Sequence, residues 1–243
     1  NDRADGFCGL LGTPSAERLI ECYRRGLFPY SHVGPQKLWC PPQRHVLFFE
    51  NYKIEKRVRR LLRQGAFTYT FDKAFARVVR ECASARTGKV GLSWIRPELR
   101  ALYQQAYRAG YAHSVEAWDE RGELVGGAFG IVIGAVFFAE SQFYRAPNAS
   151  KCAYAVLNHH LQYWGFAIND AKRGSPFMAQ QGYFDIPRNR YLQLLAEESR
   201  RRRGPKQWYV DPLLDTASWK PSALGRWSSL DGEPRWLRRA RAA

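Results

Sequence analysis

Residues 112–140 read AHSVEAWDERGELVGGAFGIVIGAVFFAE, and this stretch decides the fold. Apolar and polar side chains alternate in steps of two, with β-branched and aromatic residues gathered between short polar breaks. Strands are expected over 113–118, 123–127, 129–133 and 135–138, with turns at 119–122 and near Gly134. Upstream the period changes to helical. A helix capped by Asp72 turns Phe75, Val78, Val79 and Cys82 inward, and another begins near Pro97 with Leu99, Leu102, Tyr103 and Ala106 on its buried side. Downstream, a helix over about 149–164 is ended by Gly165 and followed by a strand over 166–170. Helix, helix, antiparallel meander, helix, strand predicts an α+β domain with one central, mostly antiparallel sheet.

The flanks divide the chain further. A first helix takes Thr13 as N-cap and Pro14 at its first position, buries Leu19, Ile20 and Tyr23, and stops at Gly26. Residues 53–63 place Ile54, Val58, Leu61 and Leu62 at helical spacing and surround them with Lys53, Lys56, Arg57, Arg59, Arg60 and Arg63. Such a helix suits a phosphate backbone as well as a solvated face. With Gly65 as a boundary, residues 1–64 are expected to form a small N-terminal α/β domain, 65–215 the main domain, and 216–243 a basic extension. Trp219, Trp227 and Trp236 in that extension predict that part of it packs.

Charge narrows the function. Thirty-eight Lys and Arg against 22 Asp and Glu leave +16, beyond the roughly 2–8 units that solubility asks of a small domain, so a polyanionic partner is expected. The longest uncharged apolar run, 124–139, is too short and too glycine-interrupted to span a membrane, and Asp2, Arg3 and Asp5 interrupt any apolar leader. Five cysteines (Cys8, Cys22, Cys40, Cys82, Cys152) with no CxxC spacing point away from disulfides and zinc and toward the cytoplasm. His159-His160 lacks a third ligand in view, so no metal is expected. Neither GxxxxGK[ST] nor a strand-linked GxGxxG is present.

Several blocks carry a resemblance. Asp5-Gly6, Gly26-Leu27-Phe28-Pro29, Phe71-Asp72, Cys82-Ala83, Ser93-Trp94-Ile95, Ala112-His113-Ser114-Val115-Glu116, Leu124-Val125-Gly126-Gly127, Glu140-Ser141, Asn148-Ala149-Ser150-Lys151 and Ile186-Pro187-Arg188 occur in one order. Over about residues 5–215 they resemble the leucyl/phenylalanyl-tRNA-protein transferase family. The resemblance implies an acetyltransferase-like (GNAT) domain beside the small N-terminal one, and transfer of an aminoacyl group from tRNA to an amine. The ester of a charged tRNA is an activated donor, so no cofactor is expected; the partners are aminoacyl-tRNA and a small amine or peptide acceptor.

Carried onto this sequence, the resemblance assigns the aminoacyl pocket to Tyr30, Trp94, Ala128, Phe137 and Gln142, and catalysis to Glu140, Asp170 and Lys172. The tRNA would lie on Lys53, Lys56, Arg57, Arg60 and Arg63. Phe137 fits plain core packing equally well, and His113 is given only a minor positioning role. Four departures stand out. Tyr30 replaces a Trp, Ala128 and Gln142 stand where Met is common, Lys172 replaces a Gln, and Phe177 and Gln180 replace a His and a Ser. On an extended strand Lys172 would share a face with Asp170 and lower its pKa. These changes imply altered specificity, with a small amino acid in natural-product biosynthesis as the leading acceptor. Tagging of proteins that begin with Arg or Lys is the alternative, and a catalytically idle tRNA-binding module is a third reading.

Overall fold

The computed structural model describes residues 5–84, 93–201 and 204–221. Two sheets organise the chain. A three-stranded sheet of order β1-β3-β2 is built from β1 (Phe7–Leu10), β2 (Phe28–Pro29) and β3 (Lys37–Trp39). The large sheet has seven strands. They are β4 (Gln43–Leu47), β5 (Thr68–Phe71), β6 (Ala112–Trp118), β7 (Leu124–Ile133), β8 (Val136–Tyr144), β9 (Ile168–Lys172) and β10 (Phe184–Pro187). Their order is β10-β4-β9-β8-β7-β6-β5, and β8–β9 is the one parallel pairing within it. The α+β class and the mostly antiparallel sheet are therefore as read from the sequence. The segment 1–64 is shared between the two sheets, because β4 lies inside the large one.

Helices cover both faces. α1 (Ala16–Arg24), α3 (Phe75–Ala83), α4 (Pro97–Arg108) and α7 (Arg188–Glu198) contribute Tyr23, Val78, Tyr103 and Tyr191 to one apolar core with Phe129, Ile131 and Phe138 of the sheet. On the other face α5 (Ala149–Tyr163) packs with Val115, Ala117, Ala128 and Phe137. The contact with α5 explains Gly126: a Cβ there would stand 2.6 Å from that of Ala149. The β7–β8 turn explains Gly134, which has φ +59° and no room beside the Glu198 carbonyl.

Three local expectations change. The α1 cap is Ser15, whose Oγ accepts from Arg18 N at 3.1 Å, so the helix starts two residues later than Thr13 would place it. Asp72 does not cap α3; it adopts φ +58° and sends its carboxylate to Ser114 N (2.8 Å) and His113 Nδ1 (2.7 Å). The strands expected at 123–127 and 129–133 are one continuous β7, paired along its length with β6 and β8.

The beginning of the C-terminal extension packs. Trp219 is buried against His159 (ring centroids 4.6 Å) and Tyr52 (5.5 Å), while Arg59 Nη1 donates to the carbonyls of Ala217 and Trp219. Trp227 and Trp236 lie outside the described residues. Burial, reinforced by His160 and opposed by Asp215, pushes the His159 ring down to about 4. The folded state then binds fewer protons than the unfolded chain between that value and the ordinary one near 6.5. Stability is accordingly full above the unfolded value and falls as pH drops toward 4, by about 2 kcal/mol at pH 5. Urea midpoints at pH 7 and pH 5 check this, and His159→Phe, which keeps the ring stack, should lose less on acidification than the unsubstituted chain.

Candidate active site

On β4, next to the edge strand β10 of the large sheet, a residue brings a charge into the core. Arg44 of β4 is fully buried, and burial alone would favour losing its charge. Asp170 of the neighbouring strand β9, which lies opposite Val46, more than offsets this: Nε donates to Oδ1 at 2.9 Å and Nη2 to Oδ2 at 2.8 Å. Nη1 donates to the Gly26 carbonyl at 2.8 Å, and the rings of Phe28 and Tyr191 lie over the guanidinium at 4.9 and 4.4 Å. Tyr191 of α7 donates its hydroxyl to Asp170 Oδ2 at 2.7 Å. Sequence reading missed Arg44; the signal was an arginine and a histidine leading directly into the apolar run Val46-Leu47-Phe48-Phe49.

Glu140 sits beside this pair. It is the extra residue of a β-bulge: Ala139 lies opposite Gly130 and Ser141 opposite Phe129, which leaves 140 unpaired between them. Its carboxylate accepts from Tyr23 Oη and Tyr103 Oη, each at 2.7 Å, and from Lys172 Nζ at 2.6 Å. Burial, and then the charge of Glu140, push both tyrosine hydroxyls well above their ordinary range, so they remain donors. Lys172 adopts φ +67°, which turns it out of the extended path. Its backbone N–H donates to Asp170 Oδ1 (2.8 Å), and its ammonium donates to the Ala139 carbonyl (2.6 Å) as well as to Glu140. The expected partnership therefore changes: the Lys172 ammonium pairs with Glu140, and Asp170 takes Arg44. Burial pushes the Lys172 amine down and Glu140 holds it up against that, with the net direction downward. Side chains of Arg44, Asp170 and Glu140 are 0% exposed and that of Lys172 is 8%, so the group is buried and Lys172 is its least enclosed member.

The five pocket candidates fall on two sides of the sheet. Tyr30 and Trp94 are half-buried neighbours, ring centroids 5.5 Å apart, packed toward the α1 core, with Trp39 Nε1 donating to the Tyr30 carbonyl. Ala128 and Phe137 are buried in the α5 core, where Phe137 approaches Trp208 at 6.3 Å. The register sets Gln142 directly opposite Ala128. Among the basic candidates, Lys53 precedes α2 (Lys56–Arg63) and Lys56, Arg57, Arg60 and Arg63 lie on it, all exposed, while Arg59 is turned inward to hold the extension.

His113 belongs to a separate clamp. Its ring stacks on Trp208 at 4.0 Å and its Nδ1 meets Asp72. Close by, Glu116 accepts from Thr70 Oγ1 and Ser114 Oγ, and burial pushes its carboxyl up. Residues 112–116 thus lock β5, β6 and the start of α3 together. Across the sheet edge, His45 Nδ1 meets Asp185 at 2.8 Å and its ring stacks on Tyr183. Among the described residues no three His, Cys, Asp or Glu side chains converge as a metal site, and no helix is long and apolar enough to cross a membrane.

With that geometry in view, the comparisons define the class. Residues 46–196 match the model of the leucyl/phenylalanyl-tRNA protein transferase family, and residues 12–42 match the model of its N-terminal domain. The chain belongs to this family. It is 44% identical over 194 residues to a leucyl/phenylalanyl-tRNA–protein transferase of Syntrophobacter fumaroxidans, covering 79% of this chain and 82% of the relative. Another of that name from Alkalilimnicola ehrlichii is 39% identical over 217 residues, covering 88% and 83%. Among solved structures the chain is similar to FemX, at 11% identity and a TM-score of 0.41 over 64% of each chain.

Removing Arg44 leaves Asp170 buried without its counter-ion, held only by the Tyr191 hydroxyl and the Lys172 N–H. Arg44→Met should cost about 3–5 kcal/mol in chemical denaturation. Tyr191→Phe, which deletes one hydrogen bond to the carboxylate, should cost about 1.5–3 kcal/mol.

Proposed function

We propose that this chain transfers the aminoacyl group of a charged tRNA to the amino group at a protein N-terminus. The observation that carries the reading is family membership, extending over most of the chain with relatives named for that activity. Those names favour the protein N-terminus over the natural-product acceptor that the sequence departures implied. Transferase activity itself is common to both readings.

The reaction is aminolysis of an ester. The acceptor nitrogen, once it has lost a proton, attacks the ester carbonyl carbon; a C–N bond forms, the C–O bond to the terminal ribose breaks, and the ribose oxygen leaves with a proton. The ester is already activated, so the reading requires no nucleotide hydrolysis or metal. Lys172 is assigned to touch substrate at this centre, with Glu140 and Asp170 holding it in place. The domain is read as acetyltransferase-like, supported by the parallel β8–β9 pair at the middle of an antiparallel sheet next to a bulge. The exposed cations Lys53, Lys56, Arg57, Arg60 and Arg63 are read as the tRNA surface; of the pocket candidates, Ala128, Phe137 and Gln142 share one face of the sheet and are read as one donor-selecting group, with Tyr30 and Trp94 apart from them on the other.

Incubation with a full set of charged tRNAs and a mixture of peptide acceptors tests the reading. Amide product on a peptide N-terminus is expected from one or a few donors, and loss of ester without any amide overturns it. Two further outcomes are expected. Because Gln142 and Ala128 face each other, Gln142→Met and Ala128→Met act on one spot, and together they should shift donor use toward Leu and Phe by roughly 10-fold or more in kcat/KM. Charge reversal at Lys56, Arg57 and Arg60 should weaken tRNA binding and lower the slope of log affinity against log salt by about 0.7–0.9 per contacted phosphate lost, measured by filter binding.

A further inference from the structure

We infer that the acceptor amine carries a carboxylate two to four bonds away, which Lys172 binds. Two sources share this chemistry: the α-carboxylate of a free amino acid, and the side chain of a protein N-terminal Asp or Glu. The inference rests on the aminoacyl-transfer step of the reading above, which both sources share, and the acceptor comparison below decides between them.

The argument begins with which charges are available to a substrate. Glu140 is one of the two carboxylates that the family resemblance assigns to catalysis. Here it is fully enclosed and already accepts from Tyr23, Tyr103 and Lys172. Asp170 is likewise enclosed, accepting from Arg44, Tyr191 and the backbone N–H of Lys172. An incoming ammonium would have to displace Lys172 from Glu140, exchanging one cation for another at a contact of 2.6 Å. Arg44 and Lys172 against Asp170 and Glu140 make two positive and two negative charges, so the group supplies no net attraction for a positively charged acceptor. Its least enclosed side chain is the lysine.

That arrangement inverts the usual preference. An acceptor with a cationic side chain meets a like charge and gains nothing from the buried carboxylates. An acceptor with a carboxylate near its amine pairs with Lys172, the least enclosed of the four charges, which brings the nitrogen beside the same centre. Lys172 then acts as an acceptor-binding residue. Glu140, with its two tyrosines, holds the ammonium in place from behind.

The test uses the purified full chain and a charged tRNA that it consumes. Four acceptors are compared by kcat/KM: a peptide beginning with Asp, the same peptide beginning with Arg, free alanine, and alaninamide. At least a tenfold preference is expected for the Asp peptide over the Arg peptide, or for alanine over alaninamide, and whichever ratio is larger identifies the source. Lys172→Gln and Lys172→Met should each bring that ratio toward one. A ratio at or below one in both pairs with the unsubstituted chain overturns the inference, and this arm requires no variant to fold. A preference that persists in both variants also overturns it. If no acceptor yields an amide while the ester is consumed, the transferase reading falls and takes the inference with it; amide formation that favours the Arg peptide removes the inference alone.

Discussion

The Arg44–Asp170 pair is the constraint on which the rest of the site depends. A fully buried guanidinium is tolerated only if a carboxylate and hydrogen-bond acceptors meet it. Here those partners come from far apart in the chain: Asp170 from β9, Gly26 from the turn after α1, and ring faces from Phe28 and Tyr191. The pair therefore fastens β4 of the N-terminal segment, the small-sheet connection and α7 onto one strand. It also uses up the carboxylate of Asp170, and this determines what remains for Lys172.

The position of Lys172 follows from that. With Asp170 occupied, the ammonium finds its carboxylate on the neighbouring β8, at the bulge where Glu140 stands clear of the ladder. Reaching it requires the left-handed backbone at 172, a conformation that costs of order 1–3 kcal/mol for a residue with a side chain. Three anchors hold the residue there: its N–H on Asp170, and its Nζ on Glu140 and on the Ala139 carbonyl. A glutamine at the same place would make the hydrogen bonds without the charge. The single substitution thus changes the sum of charge at the centre while leaving its geometry a reason to persist.

How far this could be read from sequence depended on range. The meander, α4 and α5 were legible because their signals are local: a period of two between turns, a proline at a helix start, a glycine at a helix end. Asp72 looked like a cap for the same local reason, but its carboxylate is taken by His113 and Ser114 from a strand about forty residues away. Alternation along β8 would put Glu140 and Gln142 on one face. The bulge, which no local pattern marks, separates them and carries Gln142 over to Ala128. The motif residues Glu140 and Asp170 were found by resemblance. Arg44 was marked in the sequence only by its place ahead of an apolar run, and its pairing with Asp170 is set by tertiary contact.

The same competition for partners shapes the basic surface. Composition treats the six cations of 53–63 as equivalent, yet Arg59 is withdrawn by the extension, donating to two consecutive-turn carbonyls while Trp219 covers Tyr52 and His159. A cation satisfied by backbone carbonyls has less to offer a phosphate, so docking of the extension selects which side of α2 stays open to a polyanion. That side carries Lys56, Arg57, Arg60 and Arg63. Val58 on the opposite side is buried against the α5 core, which keeps the helix from rotating to present Arg59 instead. The surface charge of this protein is therefore set by packing beneath the helix as much as by the count of lysines and arginines along it.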